Sequence, residues 1–329
     1  MLKYIIILLL STHCGFAQNN QPVLDSVLSG YQYPYPVSSL KIETQQQVLN
    51  MTYMDVRPAV SNGKTVMLLH GKNFNGAYWK TTIAALTKEG YRVIVPDQVG
   101  FGKSSKPLHY HYSFQQLALN SKNILDTLGI QKIYLLGHSM GGMLAARFAL
   151  MYPGMVEKLV LENPLGLEDW KTVVPYTPID SNYRSELKQD YETIKKYQLD
   201  NYYDGKWKPE YDEWVYLLAA WTQHPSYKTV AWNNALSSDM VFTQPVFYEL
   251  SNIKVPTLLI IGTRDRTAIG KQNVPESTRK TLGQYQLLGK AAQKKIPGAA
   301  LVEIGNVGHL PHIEAFEKFI DPLLKYFKK

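Results

Sequence analysis

Residues 133–142 read Ile133-Tyr134-Leu135-Leu136-Gly137-His138-Ser139-Met140-Gly141-Gly142. Four apolar residues run into G-x-S-x-G, and a helix-forming stretch from 143 to 150 follows. A strand that feeds a helix through so tight a turn holds one residue in a strained backbone and lifts its side chain clear of the sheet. Gly137 and Gly141 suit that turn, because a Cβ at either place would meet the turn's opposite side. Ser139 is therefore the candidate nucleophile. A serine hydroxyl is a weak nucleophile at neutral pH, so the rest of the chain has to supply a base and a group that orients it.

Both occur at strand exits. An apolar run at 255–261 ends in Gly262-Thr263-Arg264-Asp265, and a second at 300–304 ends in Gly305-Asn306-Val307-Gly308-His309. The C-terminal edge of an open α/β sheet is where such folds keep their sites. In roles, His309 takes the Ser139 proton and returns it to the leaving group, while Asp265 fixes the imidazole tautomer. Developing negative charge on a carbonyl oxygen needs N–H donors. Met140, at the helix start, offers one. The loop Leu68-Leu69-His70-Gly71-Lys72-Asn73-Phe74 offers the other, through the backbone of Lys72 or else Asn73.

These motifs resemble those of the capped α/β-hydrolases, a subgroup that includes esterases, proline iminopeptidases, epoxide hydrolases and haloalkane dehalogenases. The similarity rests on His70-Gly71 through Tyr78-Trp79, on Pro96-Asp97-Gln98-Val99-Gly100-Phe101-Gly102-Lys103-Ser104, and on the turn at Ser139. The acid loop at Asp265 and Gly308-His309-Leu310-Pro311-His312-Ile313-Glu314 complete it. It spans about residue 65 to the C-terminus, apart from a middle insert. The order Ser139, Asp265, His309 is that of the α/β-hydrolases, and differs from the chymotrypsin and subtilisin orders. The resemblance implies catalysis at His309 rather than His312, and a structural role for Asp97. It leaves Glu162 as an alternative acid, since some relatives carry theirs after the sixth strand.

The implied fold is α/β: a mostly parallel central sheet with helices on both faces and an inserted helical cap. Two alternating runs, 38–44 and 48–56, predict a hairpin at an antiparallel edge. Strands at 66–69, 92–95, 133–136 and 159–161 then alternate with helices at 78–89, 114–128 and 143–151, the pattern of a covered parallel sheet. An amphipathic helix is expected over 313–327. Core segments are assigned to 37–164 and 253–329, an extended arm to 18–36, and the cap to 165–252. Between 164 and 252 no strand–helix unit appears, yet five of the six tryptophans (Trp170, Trp207, Trp214, Trp221, Trp232) fall there with ten of the 23 tyrosines. Aromatics at helical spacing build a cap's own core and can also wall a pocket. Trp170, nearest the cap entrance, is the first candidate for substrate contact, and apolar walls favouring apolar acyl groups are expected. Glu168-Asp169 is read as a tether, with amine binding as the alternative.

Residues 1–17 read as a secretory signal: Lys3, an apolar core at 4–10, and Gly15-Phe16-Ala17 before Gln18. That core is far below the roughly 20 residues that span a bilayer. Cleavage there predicts a periplasmic or secreted protein of 312 residues (329 less 17) without cysteine, because the single cysteine is Cys14. Disulfides and thiol catalysis are then excluded. Loss of Lys3 takes the net charge from +8 to +7, and no run of like charge exceeds two residues. Diffuse basicity of this kind speaks for solvated faces and against nucleic-acid binding. Arg264, Arg266 and Lys271, around the acid loop, are read in the same way, with reception of an acidic substrate as the alternative. There is no H-E-x-x-H, and Gly100-Phe101-Gly102-Lys103 lacks dinucleotide or P-loop spacing, so no metal or cofactor is expected. The expected activity is hydrolysis of a small-molecule ester through an acyl-enzyme. Amide cleavage of the iminopeptidase type and lactone or carbon–carbon hydrolysis are alternatives, and a non-catalytic binding protein of the same fold is a further one that an intact triad opposes.

Overall fold

A computed structural model describes residues 23–329; the signal-sequence reading of 1–17 lies outside them. Eight strands form one sheet: β1 (Val37–Thr44), β2 (Gln47–Val56), β3 (Thr65–Leu69), β4 (Arg92–Pro96), β5 (Ile133–His138), β6 (Val156–Glu162), β7 (Thr257–Gly262) and β8 (Ala300–Ile304). Their spatial order is β1-β2-β4-β3-β5-β6-β7-β8. β2 runs antiparallel to both its neighbours, as the edge hairpin requires, and every other pairing is parallel.

The core follows from the two-residue period of a strand. Met67 and Leu69 of β3, Ile133 and Leu135 of β5, and Leu259 and Ile261 of β7 enter one apolar cluster. Val66 and Leu68, Tyr134 and Leu136, and Leu258 and Ile260 enter another on the opposite face. Helices α2 (Phe114–Thr127), α3 (Met140–Met151) and α9 (Tyr285–Lys295) supply the first cluster. Helices α1 (Lys80–Lys88) and α11 (Phe316–Lys328) supply the second. A sheet buried on both sides leaves only its strand ends for polar chemistry.

Several boundaries differ from the sequence expectation. The helix after Ser139 begins at Met140, because Ser139 itself occupies the N-cap position. The stretch expected as one helix from 78 divides into a 3-10 turn, Gly76–Trp79, and α1. The C-terminal helix is likewise preceded by a separate turn, α10 (Pro311–Glu314), with Ala315 outside the helical region at φ −145°, ψ 58° between them.

Between β6 and β7 the chain forms α4 (Ile179–Glu186), α5 (Tyr191–Asn201), α6 (Asp212–Thr222) and α7 (Tyr227–Thr243), and no strand. The short α8 (Glu276–Arg279) follows β7. The described part of the N-terminal arm is not a loose extension. Leu24, Leu28 and Tyr33 are buried. Leu24 N–H donates to Ala220 O (3.2 Å) and Trp221 Nε1 donates to Asp25 O (2.7 Å), both on α6. Tyr33 Oη donates to Asp97 (2.6 Å), so the arm joins the helical layer to the sheet. Among the described residues no helix is long and apolar enough to cross a membrane.

Candidate active site

Ser139 sits between the last residue of β5 and the first of α3, with φ +56° and ψ −121°. That left-handed backbone is rare for a residue with a side chain. The turn around it has no spare volume. A Cβ on Gly137 would come within 2.0 Å of Gly141 O, and one on Gly141 within 2.2 Å of Leu69 O. Ser139 N–H donates to Glu162 O (3.2 Å), which ties the turn to the neighbouring strand.

Three side chains from three strand exits meet there. Ser139 Oγ lies 2.9 Å from His309 Nε2, and His309 Nδ1 lies 2.6 Å from Asp265 Oδ2. A carboxylate only accepts, so Nδ1 carries the proton and Nε2 is free to accept from the serine hydroxyl. Ser139 is 6% exposed, His309 1% and Asp265 0%. Burial pushes the Asp265 pKa upward, but His309, Asn163 and the Thr267 N–H outweigh it and hold the carboxyl below its ordinary value.

Asn163 was not singled out from sequence. Its Nδ2 donates to Asp265 Oδ2 (2.7 Å), and its Oδ1 accepts from Gly262 N–H (2.8 Å). Its backbone is also left-handed, at φ +34°. The signal was available: β6 and β7 are parallel neighbours, so polar residues just past their C-terminal ends fall side by side.

Glu162 lies one residue earlier and faces elsewhere. Its Oε1 accepts from both the N–H and Nδ1 of His312, each at 2.9 Å. Trp79 stacks on that imidazole with 4.2 Å between ring centres. The alternative acid of the sequence reading is thus engaged with His312, and Asp265 is the carboxylate at His309. Between the two pairs lies His138. Its Nε2 donates to His309 O (2.7 Å), which leaves Nδ1 to accept from Tyr78 Oη (3.1 Å). Burial, followed by the nearby His309 and His312, pushes the His138 pKa well below its ordinary value. It is a neutral strut that fixes the His309 main chain.

Met140 and Lys72 make no backbone N–H hydrogen bond to another described residue outside helix and strand pairing. Gly71, the residue before Lys72, is pressed against His138 and Ser139: a Cβ there would lie 3.1 Å from His138 Nδ1 and 3.2 Å from Ser139 Cβ. The Lys72 ammonium points to Glu186 of α4 at 3.4 Å. The Asn73 side chain is hydrogen-bonded to Tyr202, whose ring stacks on His309 with 5.1 Å between centres. Asp97 accepts from the Gly76 and Lys103 N–H groups at 2.7 Å each, as a loop anchor does.

A cavity of about 540 Å³ adjoins this centre, lined by Lys72 and Asn73, by 267–273 of the acid loop, and by the helical layer. One expectation fails here. Trp170 is not on its wall: it is 1% exposed, packed in the core, with Nε1 donating to Phe242 O (3.1 Å). Trp221 is the tryptophan that lines it. The wall is more apolar than polar by area, as expected, with Asn182, Gln189, Gln198, Asn201, Asn234 and Ser238 among its polar positions. The helical layer presents Tyr197, Trp221, Tyr227 and Phe242 to the cavity beside polar positions of α4, α5 and α7. Glu168 accepts from Gly283 N–H (2.9 Å) and Asp169 pairs with Tyr248, so this acidic couple tethers. Among the described residues no group of three His, Cys, Asp or Glu could hold a metal ion.

Known proteins agree with the fold and with hydrolysis. A crystal structure of a "probable hydrolytic enzyme" from Pseudomonas aeruginosa PAO1 superposes with a TM-score of 0.91 at 51% identity, covering 92% of this chain and 98% of that one. The 2-hydroxy-6-oxo-2,4-heptadienoate hydrolase of Pseudomonas putida F1 is 28% identical over 273 residues, 79% of this chain and 88% of its own. Lipase 1 of Psychrobacter immobilis is 26% identical over 266 residues, 79% of this chain and 75% of its own. The family model for the alpha/beta hydrolase fold matches residues 64–316. The chain belongs to the α/β-hydrolase family.

Proposed function

We propose that this hydrolase cleaves carboxylic esters through an acyl-enzyme at Ser139. The observation that carries the reading is the unbroken hydrogen-bonded line from Ser139 Oγ through His309 to Asp265. Ser139 Oγ attacks the ester carbonyl carbon as His309 Nε2 takes the hydroxyl proton. The carbonyl oxygen, now negative, receives the Met140 and Lys72 N–H groups. Collapse breaks the bond to the alkoxy group, which leaves with the proton from His309. Water then attacks the acyl-enzyme by the same base and restores Ser139. Asp265 stabilises the imidazolium throughout. No cofactor enters these steps.

Aminopeptidase chemistry is less well supported. It calls for a free carboxylate to meet a substrate amine, but Glu186 on the cavity wall is paired with Lys72, and Glu168 and Asp169 are off that wall. Hydrolysis of a dienoate of the kind named for the P. putida relative would use the same nucleophile. We also infer export, from the basic, apolar and small-residue sequence of 1–17; the N-terminal mass of protein from cell fractions should correspond to Gln18.

A panel of acyl esters and amino-acid amides, with wild type and Ser139→Ala, tests the assignment. Ester turnover that vanishes in the variant, with stoichiometric labelling of wild-type Ser139 by a phosphonate, is expected. Equal ester turnover by the two proteins would refute it.

A further inference from the structure

The cations around the cavity divide into two kinds. Lys72 is paired with Glu186, and Arg264, beside the acid loop, is paired with Glu314. Lys271, Arg266 and Arg279 have no carboxylate within ion-pair distance among the described residues. Lys271 Nζ donates to Arg266 O (2.7 Å) and Arg266 to Thr263 O and Asp265 O. Arg279 donates to Lys271 O and Val274 O. Lys271 lines the cavity. This half-buried ammonium hydrogen-bonds to a carbonyl and feels the Asp265 carboxylate only from beyond ion-pair distance, so it can take a further anion directly.

The acids nearby are already committed. Glu186 is divided between Lys72 and the Asn234 amide, and Asp265 is held by His309, Asn163 and Thr267. Two further polar side chains of the wall are unsatisfied. Gln198, 1% exposed, has no partner for either amide atom, and the hydroxyl of Thr267, 9% exposed, has none. Buried polar groups are ordinarily paired, so such orphans on a cavity wall point to a missing ligand. An ammonium, a hydroxyl and an amide together make a donor set suited to a carboxylate.

We propose that the substrate is an acidic ester: it bears a carboxylate remote from the scissile carbonyl, received by Lys271 with help from Thr267 and Gln198. The inference rests on the ester-hydrolase reading of Ser139. It departs from the apolar preference that the aromatic composition suggests, and takes the acidic-substrate alternative for Lys271 over the solvated role. Arg266 and Arg279 contribute positive field rather than contact.

The test pairs the 4-nitrophenyl monoester of adipic acid with the same compound methylated at its free carboxyl. Wild type should show a kcat/KM ratio, acid over methyl ester, of roughly 10 or more, the scale of one charge-assisted hydrogen bond. Lys271→Gln should bring the ratio to about 1, chiefly through KM for the acid, and Lys271→Arg should restore part of it. A wild-type ratio at or below 1, or one that Lys271→Gln leaves unchanged, overturns the proposal. Adipate itself gives a readout without turnover. It should slow phosphonate labelling of Ser139 and raise the melting temperature in wild type, and do neither in Lys271→Gln. If no ester is hydrolysed but adipate still protects in a Lys271-dependent way, the ester reading fails and the carboxylate site stands. Ester turnover without carboxylate preference or adipate protection fails the other way.

Discussion

The Asn163 amide donates to the same oxygen of Asp265 that accepts from His309, at 2.7 and 2.6 Å respectively. The carboxylate therefore has one oxygen shared between the imidazole and a fixed amide, with the other on Thr267 N–H (2.7 Å). Asn163 is in turn fixed by Gly262, so two adjacent strand ends set the angle of the acid together.

Replacing Asn163 by Ala should act through Asp265 rather than on substrate. A hydrogen bond to a charged group contributes about 1.5–3 kcal/mol, so kcat should fall roughly 10- to 100-fold with KM little changed. Loss of that donor also raises the Asp265 pKa, and the acid limb of kcat against pH should move upward. A variant that only melts earlier, with an unshifted pH profile, would make Asn163 purely structural.

The two carboxylates should separate cleanly. Asp265→Asn presents the wrong tautomer of His309 and should cost up to about 10⁴ in kcat. Glu162→Gln breaks the buried contact to His312 and should lower the melting temperature with less than roughly a tenfold loss in kcat. Reversal of that ranking in steady-state kinetics would move the acid to the end of β6.

His138 makes stability depend on pH in a defined sense. Burial, with His309 and His312 behind it, holds its folded pKa well below 6.5, and burial also lowers that of His70. The unfolded chain takes up protons at both sites as pH falls below 6.5, and the folded chain does not. Stability is thus complete above pH 6.5 and declines progressively below it. Urea midpoints at about pH 7.5 and about pH 5.5 should differ in that direction, and His138→Gln should narrow the gap. Coincident wild-type midpoints would contradict the assignment.

Trp170 and Trp221 should behave oppositely. Trp170→Ala removes a fully buried indole and should destabilise by about 3–5 kcal/mol. Trp221→Leu, on the cavity wall, should alter kcat/KM unequally among esters, by factors corresponding to about 1–3 kcal/mol each. Uniform effects of Trp221→Leu across an ester panel would exclude it from substrate contact.

What could be read in advance follows local rules. The turn at Ser139 was legible because glycine, serine and strand–helix polarity coincide within ten residues. The exits at Asp265 and His309 were legible because a polar residue ending an apolar run has one place to go. Asn163 needed one step more, the adjacency of β6 and β7. The cavity wall was not legible. Helices α6 and α7 are buried on more than one side and Trp170 lies in a short turn before them, so spacing alone does not say whether Trp170 or Trp221 meets the cavity. The docking of Leu24 and Tyr33 depends on partners at Ala220 and Asp97, far away in sequence.

That docking bears on what counts as the smallest unit able to fold. The recurring family segment begins at residue 64 and stops at 316. A fragment cut to those limits would discard the edge hairpin, lay bare the surface that Leu24, Leu28 and Tyr33 cover, and strip away Phe319, Ile320, Leu323 and Phe327 of α11. Chimeras that graft a relative's catalytic segment between these ends inherit the same debt: the grafted α6 must still offer a carbonyl to Leu24, and the grafted loop an acid to Tyr33. Recombination between relatives should therefore succeed when the arm travels with its own helical layer, and fail when the junction falls at the start of the shared segment.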